Sequence, residues 1–170
     1  MRVDAVHIDI HEHDLRLCQT LADQRIKAWG NRHRNMNIAL TPKLVKRINR
    51  MGVIGELAVA HYLQLDYEWH CDWTGEGKDD DVHGIQVRAT DYGNGCLVTH
   101  PDDRHAPYVL VTLAITGHMQ VTASLQGWLP LEQCNIWDYW RTDVPYPAYF
   151  TPQTALHPIA TLTPIKAGSK

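Results

Sequence analysis

Residues 78–88 read Lys-Asp-Asp-Asp-Val-His-Gly-Ile-Gln-Val-Arg. Within eight positions they bring together an acid (Asp81), a carbonyl-bearing amide (Gln86) and a permanent cation (Arg88). Carboxylate and amide oxygens suit a hard divalent cation. A guanidinium is always charged and suits the bidentate grip of a phosphate. A fourth candidate, Glu56, lies in the stretch 51–65, Met-Gly-Val-Ile-Gly-Glu-Leu-Ala-Val-Ala-His-Tyr-Leu-Gln-Leu. A carboxylate in such surroundings is costly unless it is paired, protonated or bound to a metal. A solvated acidic turn, or a structural salt bridge for Glu56, would leave the same residues in the sequence.

The elements that must position these groups can be read from spacing. Thr41-Pro42 caps and opens a helix predicted over 43–65. At 100° per residue, Glu56 shares a quadrant with Gly52, Val59, Ala60 and Leu63, whereas His61 and Gln64 form another face. After the acidic turn the pattern predicts a tight hairpin, with Asp81-Val82, a turn at His83-Gly84 and a strand from Ile85. On that strand Ile85 and Val87 face the core while Gln86 and Arg88 share the other face. Upstream, 3–10 alternates as a short strand or arm. A helix from His11 carries the stripe Leu15, Cys18, Leu21, Ala22, Arg25, Ile26 and Trp29, with a stop at Gly30-Asn31. Downstream, strands are predicted at 68–73, 85–90, 96–99, 108–115 and 119–123. A further helix is predicted over 131–140, and an extended tail from Pro145. The stretch 108–115 is apolar on both faces, as a central strand would be.

The order and spacing of these pieces resemble the PD-(D/E)XK nuclease superfamily, and more narrowly its small phage or prophage members. The matching residues are Glu56 in Gly55-Glu56-Leu57-Ala58, Asp81 in Asp81-Val82, and Gln86-Val87-Arg88 where the family has Glu-x-Lys. Further matches are a strand and acidic loop over 97–103, Gly127-Trp128, and the proline-flanked segment 149–162. The resemblance implies an α/β (α+β) fold with a restriction-endonuclease-like core. That core is a central mixed sheet flanked by helices, here with an N-terminal helical extension. It implies one domain over 1–170, with an arm and helix at 1–42, the core at 43–144 and the tail at 145–170. It also implies metal-dependent phosphodiester hydrolysis on DNA. Asp81 would be the main ligand of Mg²⁺ or Mn²⁺, Gln86 and the Val87 backbone carbonyl would assist, and Glu56 would act through a water. The metal would activate the attacking water, and Arg88 would stabilise transition-state charge.

Two positions depart from the family pattern. Gln86 removes one formal charge from the metal site. Arg88 cannot act as a general base, because its pKa is above about 12. A working but unusual nuclease is one outcome. A nuclease-fold module that binds nucleic acid or a protein partner without cutting is the other.

Other constellations compete. Held extended, His7, Asp9, His11 and His13 share a face that zinc would accept, though a polar strand edge gives the same pattern. His70, Cys71 and Asp72 form a weaker set. His100, Asp102, Asp103 and His105 follow a strand expected beside the Gln86 strand and would line its cleft. Trp69, Trp73, Trp128, Trp137 and Trp140 suit either base stacking or a core. Lys43, Lys46, Arg47 and Arg50, preceded by Arg32 and Arg34, form the candidate phosphate-backbone surface.

The composition is compatible with this reading. The 170 residues carry a formal charge of −3. Residues 1–50 hold ten Lys/Arg against five Asp/Glu, a net of +5, and the remainder nets −8. That asymmetry points to polyanion contact at one end. No apolar run is long enough to span a membrane, and no secretory signal pattern opens the chain. Four scattered cysteines exclude a zinc ribbon or a dense disulfide scaffold and point to a cytoplasmic setting. A homodimer is compatible with the fold, and the sequence carries no diagnostic interface.

Overall fold

The computed structural model describes residues 4–29, 41–65, 81–117 and 119–163. The predicted strand at 68–73, the His70 cluster, Trp69, Trp73, Arg32, Arg34 and the helix stop at Gly30-Asn31 lie outside these residues. The chain is a mixed α+β protein. Strand β1 (Val6–Ile10) leads into helices α1 (Glu12–Trp29) and α2 (Pro42–Tyr62). Strands β2 (Gln86–Thr90), β3 (Leu97–Thr99), β4 (Pro107–Gly117) and β5 (Gln120–Pro130) follow. A short helix α3 (Leu131–Cys134) precedes β6 (Trp140–Arg141) and β7 (Ala148–Thr151).

Four strands form a mixed sheet in the order β1-β5-β4-β2, with β2 parallel to β4 and the other pairs antiparallel. Strand β4 is central, and its alternation explains its two apolar faces. Val109, Val111 and Leu113 join the core under α1 and α2, while Tyr108 and Leu110 join a second core with Leu97, Leu129, Cys134 and Leu156. That second core lies against the three-stranded sheet β3-β7-β6. β3 therefore pairs with β7 rather than beside the Gln86 strand.

Strand β5 runs to Pro130, well past its predicted 119–123, and carries a bulge. Val111 pairs with Leu125 but Leu110 pairs with Gly127. The extra residue reverses the alternation. Val121, Ala123 and Leu125 face the helices, whereas beyond the bulge Trp128 does so and Leu129 turns to the other core. Gly127 has φ +143°, and a Cβ there would meet the His157 carbonyl oxygen at 2.5 Å. Only glycine lets the 156–157 backbone pass this closely.

The helix predicted over 131–140 is not formed as one unit. α3 ends at Cys134, a 3₁₀ turn covers Trp137–Tyr139, and Trp140 already belongs to β6. Asn135 is the break: its side chain accepts from the Thr99 hydroxyl at 2.6 Å and donates to the His100 carbonyl at 3.3 Å. Tertiary hydrogen bonds thus outcompete local helix propensity. Likewise the tail from Pro145 is not merely extended, since Ala148–Thr151 is the middle strand of the second sheet.

Helix α2 is built in two halves. The Thr41 hydroxyl accepts from the Leu44 N–H at 3.3 Å, and Pro42 opens the first turn. In the first half, 42–50, only Val45 is buried, whereas every residue from Val53 to Ala60 is buried. Gly55 permits this, because a Cβ there would lie 2.8 Å from the Ala89 Cβ on β2. The helix therefore starts at the surface and runs into the core above β2.

Candidate functional site

The hairpin before β2 forms as the residue pattern requires. Val82 and Ile85 exchange backbone hydrogen bonds of 3.0 and 2.9 Å. The two turn residues both have positive φ, 43° at His83 and 85° at Gly84. These are the angles of a type I′ turn, whose twist matches the strands it joins. The turn folds Asp81 back along β2, where its Oδ2 accepts the Val87 N–H at 2.8 Å. A strand residue's N–H and C=O leave the backbone on the same side. The Val87 carbonyl therefore lies on the same edge as Asp81. Burial and the Glu56 charge together push the Asp81 carboxyl from 3.8 up to about 7, against the opposing Val87, Arg88 and Arg25 interactions.

Glu56 is 4% exposed and is held by a cation from the first helix. Arg25 donates from Nη1 to Oε1 at 2.7 Å and from Nη2 to Oε2, a bidentate clamp. Arg25 belongs to the apolar stripe of α1, so a cation on that stripe faces an acid in the apolar quadrant of α2. Each is the signal for the other, and neither sequence position alone reveals the pairing.

Gln86 and Arg88 leave β2 on the face opposite Val87, whose side chain packs under Gly55 of α2. Arg88 Nη2 donates to Asp103 Oδ2 at 3.1 Å and Nε to the Val98 carbonyl at 3.3 Å. Its guanidinium lies 5.0 Å from the centroid of the Tyr108 ring. Burial works to raise the Asp103 carboxyl, but the His100 hydrogen bonds and the Arg88 charge outweigh it and hold it at about 2. Asp103 thus joins Arg88 from the loop after β3, although β3 is in the other sheet. Gln86 is 9% exposed and faces the same side.

These positions do not make a metal cage as they stand. Both Glu56 oxygens are taken by Arg25, which occupies the cation's place beside that carboxylate. Among the described residues no group of three His, Cys, Asp or Glu side chains is placed to hold a metal ion. Asp81 with the Val87 carbonyl is the one part of the set with the right donors on one edge.

The basic face of α2 is more open. Lys43 and Lys46 are exposed, and among the described residues neither has an ion pair. Arg47 is also exposed but pairs with Asp91 at the end of β2. Arg50 departs from the expected surface role: it is half-buried, and its Nε is buried without a hydrogen-bond partner. No acid stands in the helix's first turn.

The competing sets separate. His13 lies in α1, so the four candidate zinc ligands do not share a strand face. His7 bonds the Ser124 hydroxyl at 2.7 Å, and Asp9 accepts from Thr122 at 2.8 Å. Trp128 packs on the core and donates to the Thr161 hydroxyl at 3.0 Å, while Trp140 packs against Tyr149 with the rings tilted by 53°. Trp137 is 80% exposed. Among the described residues no helix is long and apolar enough to cross a membrane. Comparison of the chain with protein-family models, curated proteins and solved structures gave no match, which leaves the site's own geometry to carry the functional reading.

Proposed function

We propose that this chain is a nuclease-like module, related in plan to the restriction-endonuclease core, that binds DNA through the first half of α2 and does not hydrolyse it. One observation carries the reading, the division of charge across the molecule. Glu56 and Arg88, which catalysis would need, are neutralised inside the fold by Arg25 and Asp103. Lys43 and Lys46, which backbone contact would need, are exposed and have no ion pair among the described residues. An exposed helix start with two exposed lysines and no acid in its first turn presents positive charge to a phosphate backbone.

The test is fluorescence anisotropy with a labelled DNA oligonucleotide. Two to three phosphate contacts predict a loss of roughly 7- to 40-fold in affinity between 50 and 200 mM salt. The double variant Lys43→Glu, Lys46→Glu should remove binding while leaving the melting temperature unchanged. Supercoiled plasmid incubated with Mg²⁺ or Mn²⁺ should stay intact. Nicking that disappears in Asp81→Ala would overturn the non-hydrolytic half and restore a metal-dependent phosphodiesterase. Absence of binding at low salt would overturn the DNA half.

A further inference from the structure

We infer that Tyr92 is a base-stacking residue and that the DNA bound along α2 is single-stranded; this rests on the DNA-binding reading above. Tyr92 is 72% exposed, in the turn that follows β2. It has no ring partner among the described residues. A single exposed aromatic is ordinary on a protein surface. The backbone that displays this one is not.

The Tyr92 N–H donates to the Thr90 hydroxyl at 3.2 Å, and its carbonyl accepts the Gly95 N–H at 2.9 Å. Gln153, from beyond β7, donates to the carbonyls of Gly93 and Gly95, both at 3.0 Å. Gly95 is required by the tightness of the turn, since a Cβ there would lie 2.6 Å from Thr90 Cγ2. Asp91, the preceding residue, is held by Arg47 of α2. The turn is therefore tied to both the segment after β7 and the basic helix, while the ring itself stands in solvent. Ordering the display in advance lowers the entropy lost on binding.

The Arg47–Asp91 pair ties the residue before Tyr92 to the half of α2 that carries Lys43 and Lys46. Cationic residues along a backbone path with an aromatic ring next to it are the two components of single-strand recognition. A duplex offers no free base face to such a ring, because its bases are already stacked on one another. The exposed Leu44 and Ile48, on the same half of α2, add apolar surface of the kind that unpaired bases cover.

The experiment compares a labelled 20-nucleotide single strand of mixed sequence with its duplex, at one low salt concentration. The single strand should bind tighter. Tyr92→Ala should weaken single-strand binding roughly 5- to 150-fold, the range for loss of one stacked base, and leave duplex binding unchanged. Tyr92→Phe and Tyr92→Trp should keep single-strand affinity, since each retains a ring. Unchanged melting temperatures exclude misfolding as the cause. Equal binding of both forms, or a Tyr92→Ala variant that binds the single strand like the parent, overturns the stacking role and leaves the DNA reading intact. Binding of neither form overturns both.

Discussion

Asp81→Asn tests how the edge of β2 is held together. Asparagine has nearly the shape of aspartate and keeps a carbonyl oxygen for the Val87 N–H, but it carries no charge to bury. In the folded protein the Asp81 carboxyl titrates at about 7, against 3.8 as its ordinary value. Between those values the unfolded chain has released a proton that the folded chain retains, so stability falls as pH rises. The stabilising contribution is complete below 3.8 and lost once pH passes about 7. At 1.36 kcal/mol per unit it amounts to about 4 kcal/mol. Asp81 keeps some contact with solvent, which makes this figure a ceiling. Urea unfolding of both proteins at pH 4 and pH 8 measures it, because titrating groups that do not interact with Asp81 cancel in the difference. The two should agree to within about 1 kcal/mol at pH 4, and the variant should be the more stable by about 2–4 kcal/mol at pH 8. A difference that is the same at both values, or a wild type that is more stable at pH 8, would refute burial and the Glu56 charge as the controlling influences. A ¹³C titration of the Asp81 carboxyl gives the midpoint directly.

Removing one partner of the clamp, as Arg25→Met, takes the bidentate cation away from the buried Glu56 and should cost about 3–5 kcal/mol in urea unfolding; the double variant Arg25→Met, Glu56→Leu should recover part of that loss. Asp103 has a depressed carboxyl, so its contribution is present above 3.8 and is lost as pH falls through about 2. Asp103→Asn should therefore cost about 2 kcal/mol at pH 6 and progressively less toward pH 2, read by calorimetry. Gly127→Ala forces a Cβ into the 156–157 backbone at a positive φ and should lower stability by at least about 1–3 kcal/mol, seen as a lower melting temperature.

Much of the local structure could be read from single positions. His83-Gly84 between Val82 and Ile85 admitted one tight turn, and Thr41-Pro42 admitted one helix start. The alternation of 85–88 placed Val87 against the helices and Arg88 away from them. What single positions do not reveal depends on partners distant in sequence. Arg88 meets Asp103 only because the loop after β3 crosses from the second sheet. Glu56 meets Arg25 only because α1 and α2 pack side by side. Strand β5 continues past Ala123 through Gly127, a residue that ordinarily marks the end of a strand pattern. Ala148–Thr151 looked like tail because prolines flank it, yet β3 and β6 pair with it from either side. The proposal of a binding rather than a cutting site rests on which charges are neutralised inside the fold, a property of the tertiary pairing rather than of any motif.

Strand β1 has a consequence for the order in which the molecule is made. Its partner is β5, and the His7–Ser124 contact joins residues 117 apart in the chain. During synthesis at about 5–20 residues per second, β1 waits on the order of ten seconds for its neighbour to leave the ribosome. Helices α1 and α2 can coil meanwhile, but the sheet they cover does not yet exist. The sheet side of α2's buried half is thus uncovered until β2, β4 and β5 emerge in turn. Folding of this chain is a late, closing event, and the nascent protein has most need of protection before β5 appears.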